Sequence, residues 1–447
     1  MTKKIICALI IAAMGINAAW AQQPTAFNTK ARPKPSSDSA LLDLVQYQTF
    51  RYFWDFAHPV SGLSRERSNE SFGYGNETVT TGGTGFGIMG VIVATERKWI
   101  GRDTAAKFLL KMVNFLLKAN SYHGVFPHWL DGATGKTIPF SRKDDGADLV
   151  ETSYLFQGLL CARQYFNATT PIENELRNRI NWMWNDIEWN WHTQGQEVLY
   201  WHWSPNNGWA MNFPVRGFNE CLIMYVLAAS CPNERYQVPA SVYHRGWAQS
   251  DFFKNGKQFY GYTLPLGFDY GGPLFFSQYS FLGLDPRGLK DRYADYWEQN
   301  RNHTLINREH CVRNPGKFKG YGVQCWGLTA SDTYDGYNAY SPTNDGGTIT
   351  PTAALSAFPY TPEYSMQALK HFYYDLGDKI WSEYGFVDAF NESKNWYAQS
   401  HLAIDQGPII AMIENHRSGL LWKLFMSCPE IKKGLQKLDF QSPWIKE

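Results

Sequence analysis

A helical hydrophobic pattern runs through most of the chain and is broken at intervals by long loops, which limits the folds open to it. Apolar residues recur at three- and four-residue spacing, as at Phe108, Met112, Phe115 and Leu116, and this spacing is typical of amphipathic helices. Roughly a dozen such segments occur, with elaborate loops after alternate ones and no strict sequence repeat. We therefore predict an all-α fold, an (α/α)6 barrel in which helical hairpins form a toroid around a central cleft.

The boundaries of the predicted helices follow from this spacing and from Pro and Gly signals. The helices are predicted at 39–57, 84–98, 102–119, 145–166, 172–190, 215–230, 238–249, 273–282, 289–308, 352–358, 363–376, 398–403, 408–415 and 418–427. Long loops rich in Gly, Asn, Trp and Tyr lie between them, and long loops in a compact domain usually carry function. Two of these loops, 191–213 and 250–272, are expected to form short β-hairpins.

The N-terminus has the three parts of a secretory signal peptide. Lys3 and Lys4 precede an apolar run from residue 5 to residue 16, and Ala19-Trp20-Ala21 supplies the small residues of a cleavage site. We interpret residues 1–21 as a signal peptide, 22–38 as a flexible lead-in and 39–447 as a single catalytic domain. The expected location is the periplasm, with secretion into the medium as the alternative.

The charge balance argues against nucleic acid as a partner. The chain has 42 Lys and Arg against 41 Asp and Glu, and removing Lys3 and Lys4 leaves 40 against 41. A near-neutral chain has no basic footprint for nucleic acid. No later apolar run is long enough to span a bilayer, and Cys7 lies too early to carry a lipid. We expect a monomer without a membrane anchor.

Aromatic residues are abundant and often stand beside polar residues and glycine. The chain contains 18 Trp, 26 Tyr and 28 Phe, and ordinary core packing accounts for many of them. Segments such as Tyr200-Trp201-His202-Trp203, however, do not follow a helical stripe. Aromatic walls with a few polar groups suit a sugar, whose flat C–H faces stack on rings. The candidate substrate-binding residues are Trp129, Trp203, Trp209, Arg216, Trp326 and Gln406.

Three acidic residues stand where a loop leads into an apolar helical stretch. Asp144, Asp148 and Glu151 have i, i+4 and i+7 spacing, which would place them on one helical face that continues into Leu155 and Leu159. Partial burial and like charges raise the pKa of a carboxyl group and so create a general acid. The alternative is a set of acids at the start of a helix, which explains Asp144 and Asp148 but explains Glu151 poorly.

Two further acids are candidates. Glu220 follows Pro214 at an expected helix start and is succeeded by the apolar residues of 221–227, so it is either catalytic or an ion-pair partner of Arg216. Asp405 precedes Pro408 and is either a catalytic or substrate-contacting residue or a helix cap. Carboxyl groups on different helices around one cleft meet the requirement for glycoside cleavage, in which one acid protonates the leaving oxygen.

Motifs for other chemistries are absent or incomplete. Gly132-Ala133-Thr134-Gly135-Lys136-Thr137 has too few residues between its glycines for a phosphate-binding loop, and no zinc or EF-hand spacing occurs. His128, His202 and His401 are interpreted as sugar contacts or core residues. We therefore expect no metal and no cofactor, and the cysteines predict no particular disulfide bridge.

Several motifs together resemble the bacterial glucoamylase-like domain, which includes glycoside hydrolase family 144. They are Tyr52-Phe53-Trp54, Thr81-Gly82-Gly83-Thr84-Gly85, the segment from Asp144 to Thr152, Phe218-Asn219-Glu220, the segment from Cys325 to Asp332, and Ile404-Asp405-Gln406-Gly407-Pro408. The resemblance implies an (α/α)6 barrel and anomer-inverting hydrolysis of β-1,2-glucan, with sophorose released by some members.

The resemblance also implies roles for individual residues. It points to Asp144, Asp148, Glu151 and Glu220 as acids of the cleft, with Asp405 and Trp326 beside them. We expect Glu220 or Glu151 to donate the proton and Asp148 to help activate water. The alternatives are an α-glucan hydrolase, a polysaccharide lyase and a non-catalytic sugar-binding protein, and the acid-rich motif argues against the last two.

Overall fold

The structure is a computed structural model that describes residues 32–69, 76–250 and 252–445. The helices in these ranges are α1 (Asp38–Trp54), α2 (Thr81–Glu96), α3 (Arg102–Leu116), α4 (Leu149–Tyr165), α5 (Pro171–Asp186), α6 (Leu222–Ser230), α7 (Tyr296–Arg313), α8 (Pro351–Leu355), α9 (Pro362–Lys370), α10 (Gly377–Ile380), α11 (Ala403–Arg417), α12 (Leu420–Met426) and α13 (Pro429–Lys437). The predicted signal peptide and residues 22–31 of the lead-in lie outside the described residues.

The helices alternate along the chain between an inner and an outer position. Helices α2, α4 and α6 are buried on nearly every side, as are α8 and most of α11. A helix that is apolar or buried all round belongs in the interior. Helices α1, α3, α5, α7 and α9 bury one face and expose the other, and they pack against the inner helices.

Two positions in this alternation are filled by irregular helix. The segment Leu274–Phe281, which consists of two 3-10 turns, is buried and takes an inner position between α6 and α8. The π-helix Val242–Trp247 takes the outer position over α6, where Trp247 packs on Tyr225 with ring centroids 5.1 Å apart. Within the part of the chain that the structure describes, six inner and six outer segments result, which is the predicted (α/α)6 arrangement.

Short antiparallel strands lie in the loops between the helices. They are β1 (Thr78–Thr80), β2 (Trp129–Asp131), β3 (Thr137–Ile138), β4 (Ala147–Asp148), β5 (His202–Trp203), β6 (Lys254–Phe259), β7 (Tyr262–Leu266), β8 (Ala330–Thr333), β9 (Gly336–Ala339), β10 (Trp381–Ser382), β11 (Gly385–Phe386), β12 (Phe390–Asn391) and β13 (Trp396–Tyr397). Strands β1, β2 and β3 form one sheet, and the others pair as β4–β5, β6–β7, β8–β9, β10–β11 and β12–β13.

The structure corrects several predicted elements. The hairpin expected in 250–272 is present as β6–β7, whereas the strand in 191–213 pairs with β4. The helix expected at 215–230 begins only at Leu222, because the chain at Val215 is held in an extended path by a hydrogen bond to Leu199. The helix expected at 398–403 is wrong, because residues 398–402 are not helical, and the helix expected at 408–415 lies within α11, which begins at Ala403 and contains Pro408.

The structure shows neither a membrane-spanning helix nor a disulfide bridge among the described residues. Within the described ranges, no helix combines the length and the apolar character that a membrane span requires. The six cysteines of these ranges are all free and buried. They are small core residues.

Glycines allow the two central helices α2 and α4 to touch through their backbones. A Cβ atom at Gly158 would lie 2.1 Å from the carbonyl oxygen of Gly85, and one at Gly85 would lie 2.1 Å from the carbonyl oxygen of Tyr154. Both obstacles are backbone atoms, so a side chain could not simply rotate away. The close contact fixes the N-terminal ends of α2 and α4 next to each other.

We expect Gly158→Ala to lower the free energy of unfolding by about 3 kcal/mol, because the new methyl group overpacks a rigid backbone contact. Urea denaturation followed by circular dichroism measures this change. Gly322→Ala is the matched control, since no heavy atom lies within 4 Å of a Cβ at that position. Equal unfolding free energies for the two variants would contradict the proposed contact.

Candidate active site

The N-terminal ends of the inner helices meet at one end of the fold. The backbone N–H of Gly82, in the first turn of α2, donates to the Glu151 carboxylate of α4 at 2.8 Å. At α8, the Thr352 hydroxyl donates to the carbonyl oxygen of Asp405 in α11 at 2.7 Å. Helix N-termini carry partial positive charge and free N–H groups, so this end of the ring favours carboxylates.

Asp148 is the N-cap of α4 and not a residue on its face. Its Oδ1 accepts from the backbone N–H groups of Val150 and Glu151 at 3.1 and 2.9 Å. The expectation that Asp144, Asp148 and Glu151 share one helical face is therefore wrong, because α4 begins only at Leu149. The three acids nevertheless converge, since Asp144 lies in the turn before β4 and Glu151 in the first turn of α4.

Glu151 is a buried carboxyl group that is held by the start of the neighbouring helix. A Cβ atom at Gly82 would lie 2.4 Å from the Glu151 Oε2, so only glycine permits this hydrogen bond without a shift. Burial raises the pKa of Glu151 to about 7, helped by the charge of Asp148 and opposed by that of His128. The group therefore titrates near neutral pH.

His128 provides the positive charge of this cluster. Its Nδ1 lies 3.0 Å from the Asp148 Oδ2, and its ring stacks on Phe140 with centroids 4.1 Å apart. Although burial opposes the charge, Glu151 and the hydrogen bond to Asp148 raise the pKa of His128 to about 9. Despite its burial, the pKa of Asp148 is lowered by His128 and His202, so the two groups form an ion pair at neutral pH.

His202 lies beside Asp144 and Asp148. The His202 Nδ1 lies 3.2 Å from the Asp144 Oδ1 and 4.0 Å from the Asp148 Oδ2. Strand pairing explains the position, because Asp148 of β4 faces His202 of β5 across the ladder. Of the three histidines interpreted as sugar contacts or core, His128 and His202 belong to the site.

Glu220 lies in the turn just before α6, with only 5% of its surface exposed. Its Oε2 is buried without a hydrogen-bond partner. The alternative of an ion pair with Arg216 is wrong, because Arg216 is exposed and donates to the carbonyl oxygen of Gly246 at 3.3 Å. Burial, with the charge of Glu151, raises the pKa of Glu220 to about 8. Glu220 is therefore protonated at neutral pH.

Tyr154, which the sequence analysis missed, lies between the two glutamates. Its hydroxyl is buried without a hydrogen-bond partner, and the charges of Glu220 and Glu151 add to the burial that raises its pKa. It lies one turn after Glu151 on α4, so the i+3 spacing was the signal that could have found it. Its ring packs against Tyr279, with centroids 5.7 Å apart.

Tyr279 leads to a second acidic cluster, which consists of Glu66, Asp332, Asp388 and Asp405. The Tyr279 hydroxyl donates to the Asp405 Oδ1 at 3.3 Å. Asp405 is the third residue of α11 and does not cap it, because the N-cap position is Leu402. Burial raises the pKa of Asp405 to about 7. The expected acid of this motif thus belongs to a group that is linked to Glu220 through two tyrosines.

Arg67 holds part of the second acidic cluster together. Its guanidinium donates to Glu66 at 2.9 Å and to both oxygens of Asp332 at 2.9 and 3.2 Å. Asp388 accepts from the backbone N–H of Asp332 at 2.7 Å. Glu66, Arg67 and Asp388 are not among the residues predicted from the sequence, although Asp388 stands in the apolar run 386–390, as Glu220 does before 221–227.

Aromatic side chains line the approach to the first acids. Trp203 of β5 stands opposite Ala147, next to Asp148, and meets His123 edge-on at 5.3 Å. Trp191, another missed residue, is 40% exposed and stacks on His123 with centroids 4.0 Å apart. The ring centroids of Trp209 and Trp191 are 6.3 Å apart. These partly exposed rings form an aromatic surface of the kind that sugars contact.

The other expected substrate contacts differ in accessibility. Trp129 is 7% exposed and packs against Phe140 with centroids 4.8 Å apart. Trp326 is fully buried in the core, and Gln406 is 1% exposed and donates to the carbonyl oxygen of Phe386. Trp326 and Gln406 therefore present no surface to a substrate in this structure. His401 is likewise a core residue, and burial lowers its pKa to about 4.

Comparison with known proteins places the chain in a family. A family model described as "Glycoamylase: Putative glucoamylase" matches residues 212–429. The crystal structure of a "putative glucoamylase" from Bacteroides uniformis is 60% identical, with a TM-score of 0.90, over 92% of this chain and 100% of that one. The chain belongs to the bacterial glucoamylase-like family of glycoside hydrolases.

Two relatives in this glucoamylase-like family have more specific descriptions. An endo-β-1,2-glucanase from Chitinophaga pinensis, solved with sophorotriose and glucose, is 57% identical, with a TM-score of 0.89, over 91% of this chain and 99% of that one. An exo-β-1,2-glucooligosaccharide sophorohydrolase from Parabacteroides distasonis is 44% identical over 91% of this chain. The aligned region spans 58% of the length of that curated relative.

One group of ligand atoms has the spacing of a cation site. The candidate ligand atoms of His128, Asp144 and Asp148 lie within 4.8 Å of one another. The hydrogen bond between His128 and Asp148, together with the raised pKa of His128, already compensates these charges. General acid–base hydrolysis of a glycoside by two carboxyl groups does not itself require an ion, so we interpret the group as an ion-pair cluster.

We expect nuclear magnetic resonance titration of His128 to give a pKa of about 9, and Asp148→Asn to lower it by removing the paired charge. The folded-state pKa exceeds the ordinary value of 6.5, so the pair stabilises the fold fully below pH 6.5. This stabilisation is lost as the pH rises through about 9. The unfolding free energy of the unchanged protein should therefore fall more steeply over that interval than that of the variant.

The exposed Asp103→Asn substitution on α3 is the control for this titration. It makes the same chemical change at the surface and should leave the pKa of His128 unchanged. An unchanged His128 titration in Asp148→Asn would contradict the ion pair.

Proposed function

We propose that this protein hydrolyses β-1,2-glucan or β-1,2-glucooligosaccharides, with sophorose as a main product. The observation that carries the proposal is Glu220, a buried, protonated carboxyl group with one oxygen free of protein partners, beside the acids at the start of α4. The linkage is supported by the names of two relatives, an endo-β-1,2-glucanase and an exo-β-1,2-glucooligosaccharide sophorohydrolase.

In the proposed mechanism, Glu220 is the general acid. A glycosidic oxygen that leaves with its electron pair must receive a proton, and a carboxyl group with a raised pKa can supply it near neutral pH. The pKa of Glu220 is raised by burial to about 8, so the group holds its proton until substrate arrives. Glu151, with a pKa of about 7, is only partly protonated at neutral pH, which makes it the weaker donor candidate.

The anionic side of the site is formed by Asp144 and Asp148. Both oxygens of Asp148 are engaged, one by the start of α4 and one by His128. We propose that Asp148 helps to activate water because it holds a negative charge in place on this side of the site, to which Asp144 also contributes. Water would then attack the anomeric carbon opposite the leaving group, which inverts the anomeric configuration, and the proton of that water would pass to a carboxylate of the anionic side, Asp144 or Asp148.

The aromatic surface of Trp191, Trp203 and Trp209 is proposed to position the sugar chain. These rings are partly exposed and lie next to one another beside the acidic site. Stacking of a flat sugar face would bury their exposed surface. The signal-peptide pattern of residues 1–21 supports export to the periplasm, and we propose that the mature protein acts there as a monomer.

We expect incubation with linear β-1,2-glucan to yield sophorose as the main early product, separated by chromatography. A ladder of longer oligosaccharides would keep the linkage but make the action internal to the chain. Proton magnetic resonance of the fresh product should show the anomer opposite in configuration to the cleaved bond. Cleavage of amylose or maltose, with β-1,2-glucan left intact, would overturn the proposal in favour of an α-glucan hydrolase.

We expect Glu220→Gln to lower kcat by roughly 10²- to 10⁴-fold, because the amide cannot donate the proton in the same way. Since the acid must be protonated, kcat/KM of the unchanged enzyme should fall as the pH rises through about 8. This decline should disappear from the residual activity of the variant. Initial rates across the pH range measure both effects.

Glu175→Gln is the matched control, because Glu175 is a half-exposed residue of the outer helix α5, paired with Arg179. It should retain the rate and the pH profile of the unchanged enzyme. If Glu220→Gln keeps near-normal turnover, Glu220 is not the proton donor. Thermal unfolding of both variants verifies that any loss of rate is chemical.

A further inference from the structure

Helix α6 begins at Leu222, just after Glu220, and has no cap of its own. Its N-cap position is Cys221, whose side chain makes no hydrogen bond to the first turn. The first N–H groups of a helix lack partners within that helix, and a buried N–H group without a partner is strongly unfavourable. Because Ile223 of this turn is fully buried, a partner for its N–H group has to come from another element.

Ser280 of the inner segment 274–281 is that partner. Its Oγ accepts from the backbone N–H of Ile223 at 3.0 Å, and its hydroxyl donates to the backbone carbonyl oxygen of Glu220. Ser280 is fully buried, so water does not compete for either hydrogen bond. A single side chain therefore bridges the two sides of the turn that carries Glu220.

The position of the Glu220 carboxyl group depends on this turn. Its Oε2 is buried and has no hydrogen-bond partner, so no donor holds that oxygen in place. The direction of the side chain is then set by its packing and by the backbone to which it is attached. The Ser280 hydroxyl binds the backbone carbonyl of Glu220 itself and so acts on that backbone directly.

The part of the inner segment that contains Ser280 is held on both sides. Gln157 of α4 donates to the carbonyl oxygen of Tyr279 at 3.1 Å, and the Trp422 Nε1–H of α12 donates to the carbonyl oxygen of Phe281 at 2.8 Å. Gln157 and Trp422 are themselves buried. Ser280 thus has a fixed place relative to α4, at whose start the other acids of the site lie.

We propose that Ser280 is a positioning residue for Glu220, and that its hydroxyl keeps the Glu220 carboxyl group next to the acids at the start of α4. This inference rests on the proposed function, in which Glu220 is the general acid. Ser280 acts through the backbone of Glu220 and does not contact the reacting atoms. A proton donor has to lie within hydrogen-bonding reach of the leaving oxygen, and a displacement of about 1 Å can lower the rate roughly 10²-fold.

The pKa of Glu220 distinguishes positioning from a merely structural role. The titratable groups that interact with Glu220 are Glu151 and Tyr154 of α4 and the adjacent Cys221. Burial raises the pKa of Glu220 to about 8, with a further contribution from the charge of Glu151. If the turn is no longer held, the carboxyl group reaches water and the main cause of the raised pKa is lost. The pKa of Glu220 should then fall.

Hydrogen–deuterium exchange of the free enzyme tests the turn first. In Ser280→Ala, the backbone N–H groups of 221–224 should exchange roughly 10-fold faster, because the Ile223 N–H loses its acceptor. Ser230→Ala is the matched control, since Ser230 lies at the other end of α6, is 3% exposed and donates to the Val226 carbonyl oxygen at 2.6 Å. It should leave the exchange at 221–224 unchanged. If Ser280→Ala does not fold, Ser280→Cys replaces it and should show a smaller change in the same direction, because a thiol is a weaker donor and acceptor.

Kinetics on β-1,2-glucan measures the consequence for the reaction. We expect Ser280→Ala to lower kcat by roughly 10- to 100-fold with little change in KM, because the hydroxyl positions the acid and does not contact the glucan. The decline of kcat/KM that the unchanged enzyme shows near pH 8 should move to lower pH as the pKa of Glu220 falls. Ser230→Ala should keep the rate and the pH profile of the unchanged enzyme.

Two results would overturn the proposal. One is unchanged exchange at 221–224 in Ser280→Ala, which would mean that the hydroxyl does not hold the turn. The other is faster exchange together with an unchanged rate and pH profile, because Ser280 would then only stabilise the fold.

A measurement without substrate separates this proposal from the proposed function. If the unchanged enzyme does not cleave β-1,2-glucan, the proposed function is contradicted, and the protonation of Glu220 is followed in the free enzyme by the infrared C=O band that Glu220→Gln removes. A lower midpoint of this band in Ser280→Ala would support the positioning of the carboxyl group by Ser280. An unchanged midpoint would refute it.

Discussion

The structure depends on gathering buried carboxyl groups at the N-terminal ends of the inner helices. An isolated buried carboxylate costs on the order of several kcal/mol, so the fold must supply donors and opposite charge at each position. Gly82 and the start of α4 supply N–H groups to Glu151 and Asp148, and His128 supplies the cation. Where no such partner is present, as at Glu220, the group remains protonated. Because donors and a cation are present at Asp148 and absent at Glu220, acids of different protonation state lie within one site.

The core serves this arrangement by fixing helix ends. Backbone contact between α2 and α4 at Gly85 and Gly158 leaves no freedom for one helix start to move relative to the other. The irregular segment 274–281 also positions site residues. Its 3-10 turns bring Tyr279 to Asp405, and the Ser280 hydroxyl donates to the backbone carbonyl of Glu220. Long loops with short strands then add the aromatic surface, since β5 pairs with β4 and carries Trp203 beside Asp148.

The two acidic groups are best understood as one connected site. Tyr154 and Tyr279 lie in ring contact between Glu220 and Asp405, and Glu66 adds its charge to the field that acts on His128. Protonation changes in either group therefore affect the other, which is expected where charges are close and water is excluded. A glycoside hydrolase benefits from such coupling, because its acid and its anionic side must remain in opposite protonation states until the bond breaks.

The sequence alone predicted the helical class, the alternation of helices and long loops, and candidate acids at 144, 148, 151, 220 and 405. For Glu151 and Glu220 the signal was a carboxyl group next to apolar residues. The sequence did not determine helix starts: Asp148 looked like part of a face, although its side chain caps α4 and so ends the helical pattern there. The tertiary structure alone decided that Asp388, Arg67 and Tyr154 join these acids, and that Trp326 is inaccessible. Spacing along a chain describes one element at a time, whereas charge balance is set by groups that different elements bring together.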